Sequence, residues 1–448
     1  MIDKPLTTKA MIEFFRCGCK PRMSWGIGTE HEKIPFHTST LAPVPYAGKE
    51  GIGALLEALV DSDWQAVRED GNIIALQGNN GASITLEPGG QLELSGAVLF
   101  NLHHTHAETK HHLQHVMAVA DRLHIGFLTT AFQPQCLRQD VPWMPKSRYA
   151  IMRDYMPKVG SQGLDMMLRT STVQANLDFS SEQDMAKKMR IACCLQPIVT
   201  ALFAASPFKD GKASGLLSTR AACWLDTDAQ RTGIPICVFD DAFGFSDWVE
   251  YVLDVPMYFV MRDGQFIDCS GASFRDFQAG NLTVLKGQLP TLDDWALHTS
   301  TVFPDVRLKQ FIEMRGADAG SLEMTTALPA LWKGLLYDGV SEDAVWQVIK
   351  DWSHSTVNQL REDVISEALK AKIKGVLVQE IALHLLHLAQ QGLQRSANYN
   401  AENEDESIYL QPLWTVARSG ETLAENWLKK YHGAWKRNIK PIFGIAKH

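Results

Sequence analysis

Apolar positions recur along this chain with two different periods, and the change from one to the other divides it into parts. From Thr7 to Gly18, Met11, Ile12, Phe14 and Phe15 predict a helix that starts at a threonine cap and stops at glycine. Ile52 to Val60 repeats the helical spacing at 52, 55, 56, 59 and 60. Beyond it the period falls to two. Trp64–Glu69, Ile73–Gln77, Ala82–Glu87 and Gln91–Ser95 read as strands, separated by Asp70-Gly71, Asn79-Asn80-Gly81 and Pro88-Gly89-Gly90. Short strands joined by tight turns predict an antiparallel meander, not a doubly wound parallel sheet.

The later pattern alternates between the two periods. Asn101–Leu123 reads as a helix, and Met185–Ala205 as an apolar helix pair broken near Pro197. Tyr258–Asp268 predicts a hairpin turning at Asp263-Gly264, and Val306–Asp318 a strand. From Leu328 onward the pattern is helical, with Ser366–Leu393 its longest segment, and the acidic stretch Ser396–Ser407 is expected to be a mobile loop. There is no internal repeat or interdomain linker, so residues 1–448 are expected to form a single catalytic domain, mostly helical from about residue 328.

Composition narrows the function classes. The hydrophobic share of 45% over 448 residues supports a substantial core. Lys+Arg 43 against Asp+Glu 51 leaves −8, which argues against broad nucleic-acid or membrane-surface binding but permits a local basic pocket for phosphates. Residues 1–30 lack an apolar leader, and the longest apolar run, Ile191–Ala205, contains Gln196 and Pro197 and falls short of the ~20 residues of a spanning helix. A soluble cytoplasmic protein is expected. Its eight cysteines form no CxxC pair, which leaves buried thiols as the simplest reading, and neither GxGxxG nor GxxxxGK[ST] is present.

The candidate chemistry is carried by acids on strands. Within Ile84–Ser95, Ile84, Leu86, Leu92 and Leu94 share one face, and Thr85, Glu87, Gln91, Glu93 and Ser95 the other. Fully extended, Glu87 and Glu93 would stand roughly 20 Å apart, so only a bend at the glycines brings them together. In Trp25–Phe36, Glu30 and Glu32 point the same way, about 6.6 Å apart. Two acids alone are ordinarily a solvated strand face. If both strands join one sheet, four carboxylates surround one surface, which is how hard cations are held. Thr170, Thr172, Gln174, Asn176 and Asp178 form a polar strand face suited to solvent or to a ligand cavity. Glu313 and Arg315 share a face as an ion pair, or as a metal ligand beside a phosphate clamp. The histidines at 103, 104, 106, 111, 112 and 115 read as a solvated helix face, since His111 and His115 lack an evident third metal ligand. Arg220 and Arg231, taken singly, read as surface.

Four motifs in order, Gly28-Thr-Glu-His-Glu-Lys33, Leu86-Glu-Pro-Gly-Gly-Gln-Leu-Glu-Leu-Ser-Gly96, Met167-Leu-Arg-Thr-Ser-Thr-Val-Gln-Ala-Asn-Leu-Asp178 and Glu313-Met-Arg-Gly-Ala-Asp318, closely resemble the glutamate–cysteine ligases of the plant and proteobacterial type. The likeness extends through Tyr258–Asp268 and Leu328–Tyr337, nearly the whole chain. It implies an α+β, glutamine-synthetase-like fold: an antiparallel saddle-shaped sheet carrying the site, covered outside by helices. It also implies ATP-dependent joining of L-glutamate to L-cysteine through a γ-glutamyl phosphate, with γ-glutamylcysteine, ADP and phosphate as products. By motif position, Glu30, Glu32, Glu87, Glu93, Glu313 and Gln174 would hold Mg²⁺, or Mn²⁺ in its place, with Asn176 a neutral donor near metal or substrate. Arg315 would stabilise the transferring phosphoryl group, Arg148 and Arg220 would grip substrate carboxylates, and Met167 or Tyr258 would line a small cysteine pocket. The partners implied are these small molecules alone, in a monomer or homodimer. A ligase that uses a different amine, and a metal-dependent hydrolase, remain alternatives.

Plant members carry regulatory disulfides. Cys269 is kept here, but Val284 stands where its partner is expected and Thr326 at another such position, so a redox switch of that design lacks its partner thiols. Ser171 likewise replaces an expected cysteine.

Overall fold

A computed structural model describes residues 6–448. Its main sheet has nine strands: β1 (Ile27–His37), β2 (Trp64–Glu69), β3 (Asn72–Gly78), β4 (Ser83–Leu86), β5 (Leu92–Ser95), β6 (Ile125–Leu128), β7 (Thr172–Leu177), β8 (Val306–Leu308) and β9 (Ile312–Asp318). The order is β8-β9-β7-β1-β5-β4-β3-β2, with β6 on the second half of β1, and every neighbouring pair is antiparallel. The meander β2 to β5 turns at Asp70-Gly71, Gly81 and Gly90, all at positive φ, where glycine carries no Cβ penalty. The expected antiparallel α+β architecture is present.

The alternation sorts the two faces of the sheet. Val173, Ala175 and Leu177 of β7 are completely buried against the helical layer. In that layer Leu322–Leu336 packs on β7, and Glu182–Leu202 packs on β9. Leu102–Arg122 covers the back of β1, where Lys33 Nζ lies 3.0 Å from His112 Nε2 and His31 meets the His112 ring edge-on. Ile84, Leu86, Leu92 and Leu94 join a second core with Leu55, Leu56 and Val116. The opposite face of the sheet is left to the polar side chains. No helix among the described residues is long and apolar enough to cross a membrane.

Several local expectations are overturned. Met185–Ala205 is not a broken pair: Glu182–Leu202 is one helix with Pro197 inside it, because burial of every residue from 191 to 202 outweighs the lost backbone bond. Ser366–Leu393 is divided by a hairpin, Lys372–Ile373 with Val376–Leu377, turning at Lys374 and Gly375 with positive φ. Val306–Asp318 is two strands, not one. The acidic stretch is anchored: Glu406 is fully buried, accepts from Lys333 Nζ at 2.7 and 2.5 Å, and accepts from the Leu102 N–H at the start of the histidine helix. Of the histidines on that helix only His104 and His111 are exposed; His112 is buried on Lys33, and His103 and His106 pack on Tyr409. Arg231 is fully buried, held by Asp228, Thr301 and Pro256.

Candidate active site

The register of β1 builds the centre of the polar face. Glu30 is paired with Ser95 on one side and Gln174 on the other, and Glu32 stands directly opposite Glu93. Hydrogen bonds orient each acid: Asn176 Nδ2 donates to Glu30 Oε1 at 2.7 Å, the Thr172 N–H to Glu32 Oε2 at 3.1 Å, and Thr85 Oγ1 to Glu93 Oε2 at 2.7 Å. Glu87 follows the end of β4 on the Pro88-Gly89-Gly90 turn. Gln91 ties that turn across the cavity: its Oε1 accepts from the Gly89 N–H, and its Nε2 donates to the carbonyls of Met167 and Thr170. A Cβ on Gly89 would come within 2.2 Å of the Leu168 carbonyl oxygen, so the close approach requires glycine. The Leu86 carbonyl, one residue before Glu87, accepts from both Tyr149 Oη and Lys146 Nζ.

These groups surround an open cavity. Glu30, Glu32, Glu87, Glu93 and Gln174 line it on the sheet side, with Arg148, Arg220, Arg315 and Met167 around them. Three of the residues singled out from the sequence do not line it. Tyr258 is buried in the second core with its ring under Arg231, and its neighbour Phe259 faces the cavity instead, as alternation along a strand requires. Asn176 reaches the site through Glu30, and its Oδ1 is buried without a partner. Glu313 is fully buried among cations. Arg307 grips it through Nε at 2.7 Å and Nη2 at 3.0 Å, with Lys309 Nζ at 2.9 Å and Arg315 Nη1 at 2.7 Å.

Charge is distributed unevenly. Burial, followed by the charges of Glu313 and Glu93, pushes Glu30 up to about 7. Burial and the neighbouring Glu87 and Glu93 raise Glu32 well above the ordinary carboxylate value, and burial with Glu87 raises Glu93. Burial also opposes ionisation of Glu313, but Arg307, Lys309 and Arg315 overcome it and hold that carboxyl well below its usual value. Lys146 is lowered to about 8 by burial and by Arg148. The acid wall is therefore short of positive charge. Among the described residues, no three acid, histidine or cysteine side chains already form a closed metal-ligating group. The donor set still fits a hard divalent cation, since buried carboxylates that repel one another lose that repulsion when one sits between them.

Sequence reasoning placed Gln91 on the polar face without giving it a role, and missed Arg307, Lys146 and Tyr149 and the apolar lining of Met152, Met166 and Phe259. Arg307 was legible in principle: a hairpin reading of Val306–Asp318 sets it opposite Glu313.

The chain is similar to known proteins over nearly its whole length. The model of glutamate-cysteine ligase family 2 matches residues 26–443. The chloroplastic glutamate–cysteine ligase of Nicotiana tabacum is 50% identical over 442 residues, 98% of this chain and 83% of the relative; that of Medicago truncatula is also 50% identical, over 98% and 85%. A crystal structure of the glutamate–cysteine ligase of Francisella tularensis in complex with AMP superposes with a TM-score of 0.53 over 94% of this chain and 87% of that one, at 13% identity, and so shares the fold. By the extent of both matches, the chain belongs to glutamate-cysteine ligase family 2.

Proposed function

We propose that this cavity binds ATP, L-glutamate and L-cysteine and joins the γ-carboxylate of glutamate to the cysteine amine through a γ-glutamyl phosphate. The chain is an ATP-dependent glutamate–cysteine ligase, the activity that opens glutathione synthesis. The observation that carries the assignment of roles is the convergence of Glu30, Glu32, Glu87 and Glu93 on a cavity that also presents Arg148, Arg220 and Arg315. A polyphosphate and two amino-acid carboxylates bring negative charge to a wall of acids. Mg²⁺ held by Glu30, Glu32, Glu87, Glu93 and Gln174 would supply the neutralising charge and polarise the phosphate oxygens. Glu313 would join that set only by giving up some of its contacts with Arg307, Lys309 and Arg315.

The protein's own groups explain the rest. Arg148 has a buried Nε without a hydrogen-bond partner and a guanidinium stacked 5.3 Å from the Tyr149 ring, which leaves its fork for a substrate carboxylate. Arg220 supports the Arg315 carbonyl at 2.7 Å while lining the cavity. Arg315, steadied by Gln174 Oε1 at 2.8 Å, is placed to stabilise charge that grows on the transferring phosphoryl group. Met152, Met166, Met167 and Phe259 offer a soft apolar wall suited to a thiol or an ethyl side chain. We propose that the protein works as a monomer or a homodimer. Eight unpaired cysteines suit a reducing compartment, and we assign the protein to the cytoplasm.

Phosphate release from ATP, measured with Mg²⁺ and glutamate and with cysteine or 2-aminobutyrate added in parallel, tests the reading. Turnover should require glutamate and an amine, use both acceptors, and fall at least about a hundredfold in Glu87→Gln. No ATP consumption with any amine would end the ligase assignment.

A further inference from the structure

Arg315 projects from an irregularity in the sheet. The pairing of β9 with β7 shifts register between Met314 and Ala317, so Arg315 and Gly316 form a bulge on the β7 side, while on the other side the Arg315 N–H continues the pairing with the start of β8, bonding the Asp305 carbonyl at 3.0 Å. Bulges re-aim side chains, and their geometry depends on what holds the extra residues. Above the sheet, the Arg315 carbonyl is held by Arg220 Nη2 at 2.7 Å and Thr172 Oγ1 at 3.2 Å. Below it stands one turn of the Glu182–Leu202 helix. Thr200 Oγ1 lies 3.0 Å from the Gly316 carbonyl and 3.1 Å from that of Gln196. Gln196 is 1% exposed, and neither atom of its amide has a hydrogen-bond partner. A Cβ on Gly316 would lie 2.4 Å from Gln196 Nε2 and 2.8 Å from its Cγ, so the glutamine side chain already fills the space beside the Gly316 α-carbon. Leu195, Ile198 and Val199 of the same helix are buried as well, so a Cβ added at Gly316 would force the glutamine side chain or the strand to shift within a packed core.

A buried amide that makes no hydrogen bond contributes less to folding than an apolar side chain of its size would. We propose that Gln196 is a positioning residue for phosphoryl transfer: packed against the Gly316 α-carbon from the helical side, it fixes the bulge from which Arg315 enters the cavity. The glycine and the glutamine are two halves of one fit, and enlarging one is compensated by shrinking the other. Glutamate binding through Arg148, on a separate helix, should be insensitive to either.

The inference rests on Arg315 acting at the phosphoryl group, so Arg315→Lys is measured beside the variants that test the fit. Gly316→Ala should lower kcat at least about tenfold while KM for glutamate stays within about twofold, and Gly316→Ala/Gln196→Ala should recover most of the lost kcat. A folded double variant no faster than Gly316→Ala would overturn the proposal. If Gly316→Ala does not fold, Gln196→Ala alone decides: kcat lowered several-fold at unchanged melting temperature supports the positioning role, and unchanged kcat overturns it. Full activity in Arg315→Lys would sink the role of Arg315 itself, whereas a dead Arg315→Lys beside an unrescued double variant sinks only the part given to Gln196.

Discussion

Glu30 is the residue at which fold and function pull hardest against each other. Its carboxylate sits between Asn176 and the charges of Glu313 and Glu93, and burial with those charges pushes it up to about 7. An acid whose folded pKa lies above its unfolded value keeps its proton only in the folded state between the two. The folded state then binds more protons than the unfolded one, and stability falls as pH rises through that window. In metal-free protein, Glu30→Gln should therefore gain melting temperature over wild type as pH goes from about 5 to about 7, and the gain should shrink when millimolar Mg²⁺ is added. Calorimetric scans of both proteins across that range, with and without Mg²⁺, check it; parallel curves would mean that Glu30 ionises freely. Glu30 and Glu32 were legible in the sequence because alternation along one strand settles their shared face. Tyr258 was not, because which member of the Tyr258-Phe259 pair faces the cavity depends on how a hairpin docks onto a distant wall.

At the scale of elements, the β4–β5 turn carries Glu87 to its place, and Gln91 is the clamp. The Gln91 amide makes three hydrogen bonds, to the Gly89 N–H and to the carbonyls of Met167 and Thr170, and the residue is 2% exposed. Gln91→Leu would leave those groups buried and unpaired, at a cost of about 2–3 kcal/mol, and would free the turn from the Gly163–Arg169 helix. Chemical denaturation should show the lost stability. Steady-state kinetics should show a higher Mg²⁺ requirement, because Glu87 is no longer held against Glu93; wild-type Mg²⁺ dependence in a destabilised protein would detach the turn from the cation site. The meander itself was read correctly because each of its turns is local chemistry. The hairpin of β8 and β9 was missed for want of such a signal: Lys309-Gln310-Phe311 contains no glycine, proline or asparagine. Read as one strand, it sets Arg307 roughly 20 Å from Glu313. Folded back, it makes them direct partners.

At the scale of the whole molecule, the helical layer behind the sheet is tied together by a pair of which one member, Glu406, was placed in a loop by sequence patterning. Lys333, on the Leu322–Leu336 helix that backs β7, is 6% exposed, and Glu406, which accepts from it through both oxygens, is fully buried and also caps the helix behind β1 at Leu102. Composition alone describes Ser396–Ser407 as acidic and solvated; only the folded layer shows that one of its acids answers a buried lysine. Removing one member of a buried pair strands the other charge, so Glu406→Gln should cost about 3–5 kcal/mol, while Lys333→Met/Glu406→Leu should recover much of that loss. Differential scanning calorimetry measures both. If residues 1–448 unfold as the single domain we propose, the whole transition should move together in Glu406→Gln and return together in the double variant. Two transitions, only one of which shifts, would instead divide the helical layer from the sheet that carries the acids.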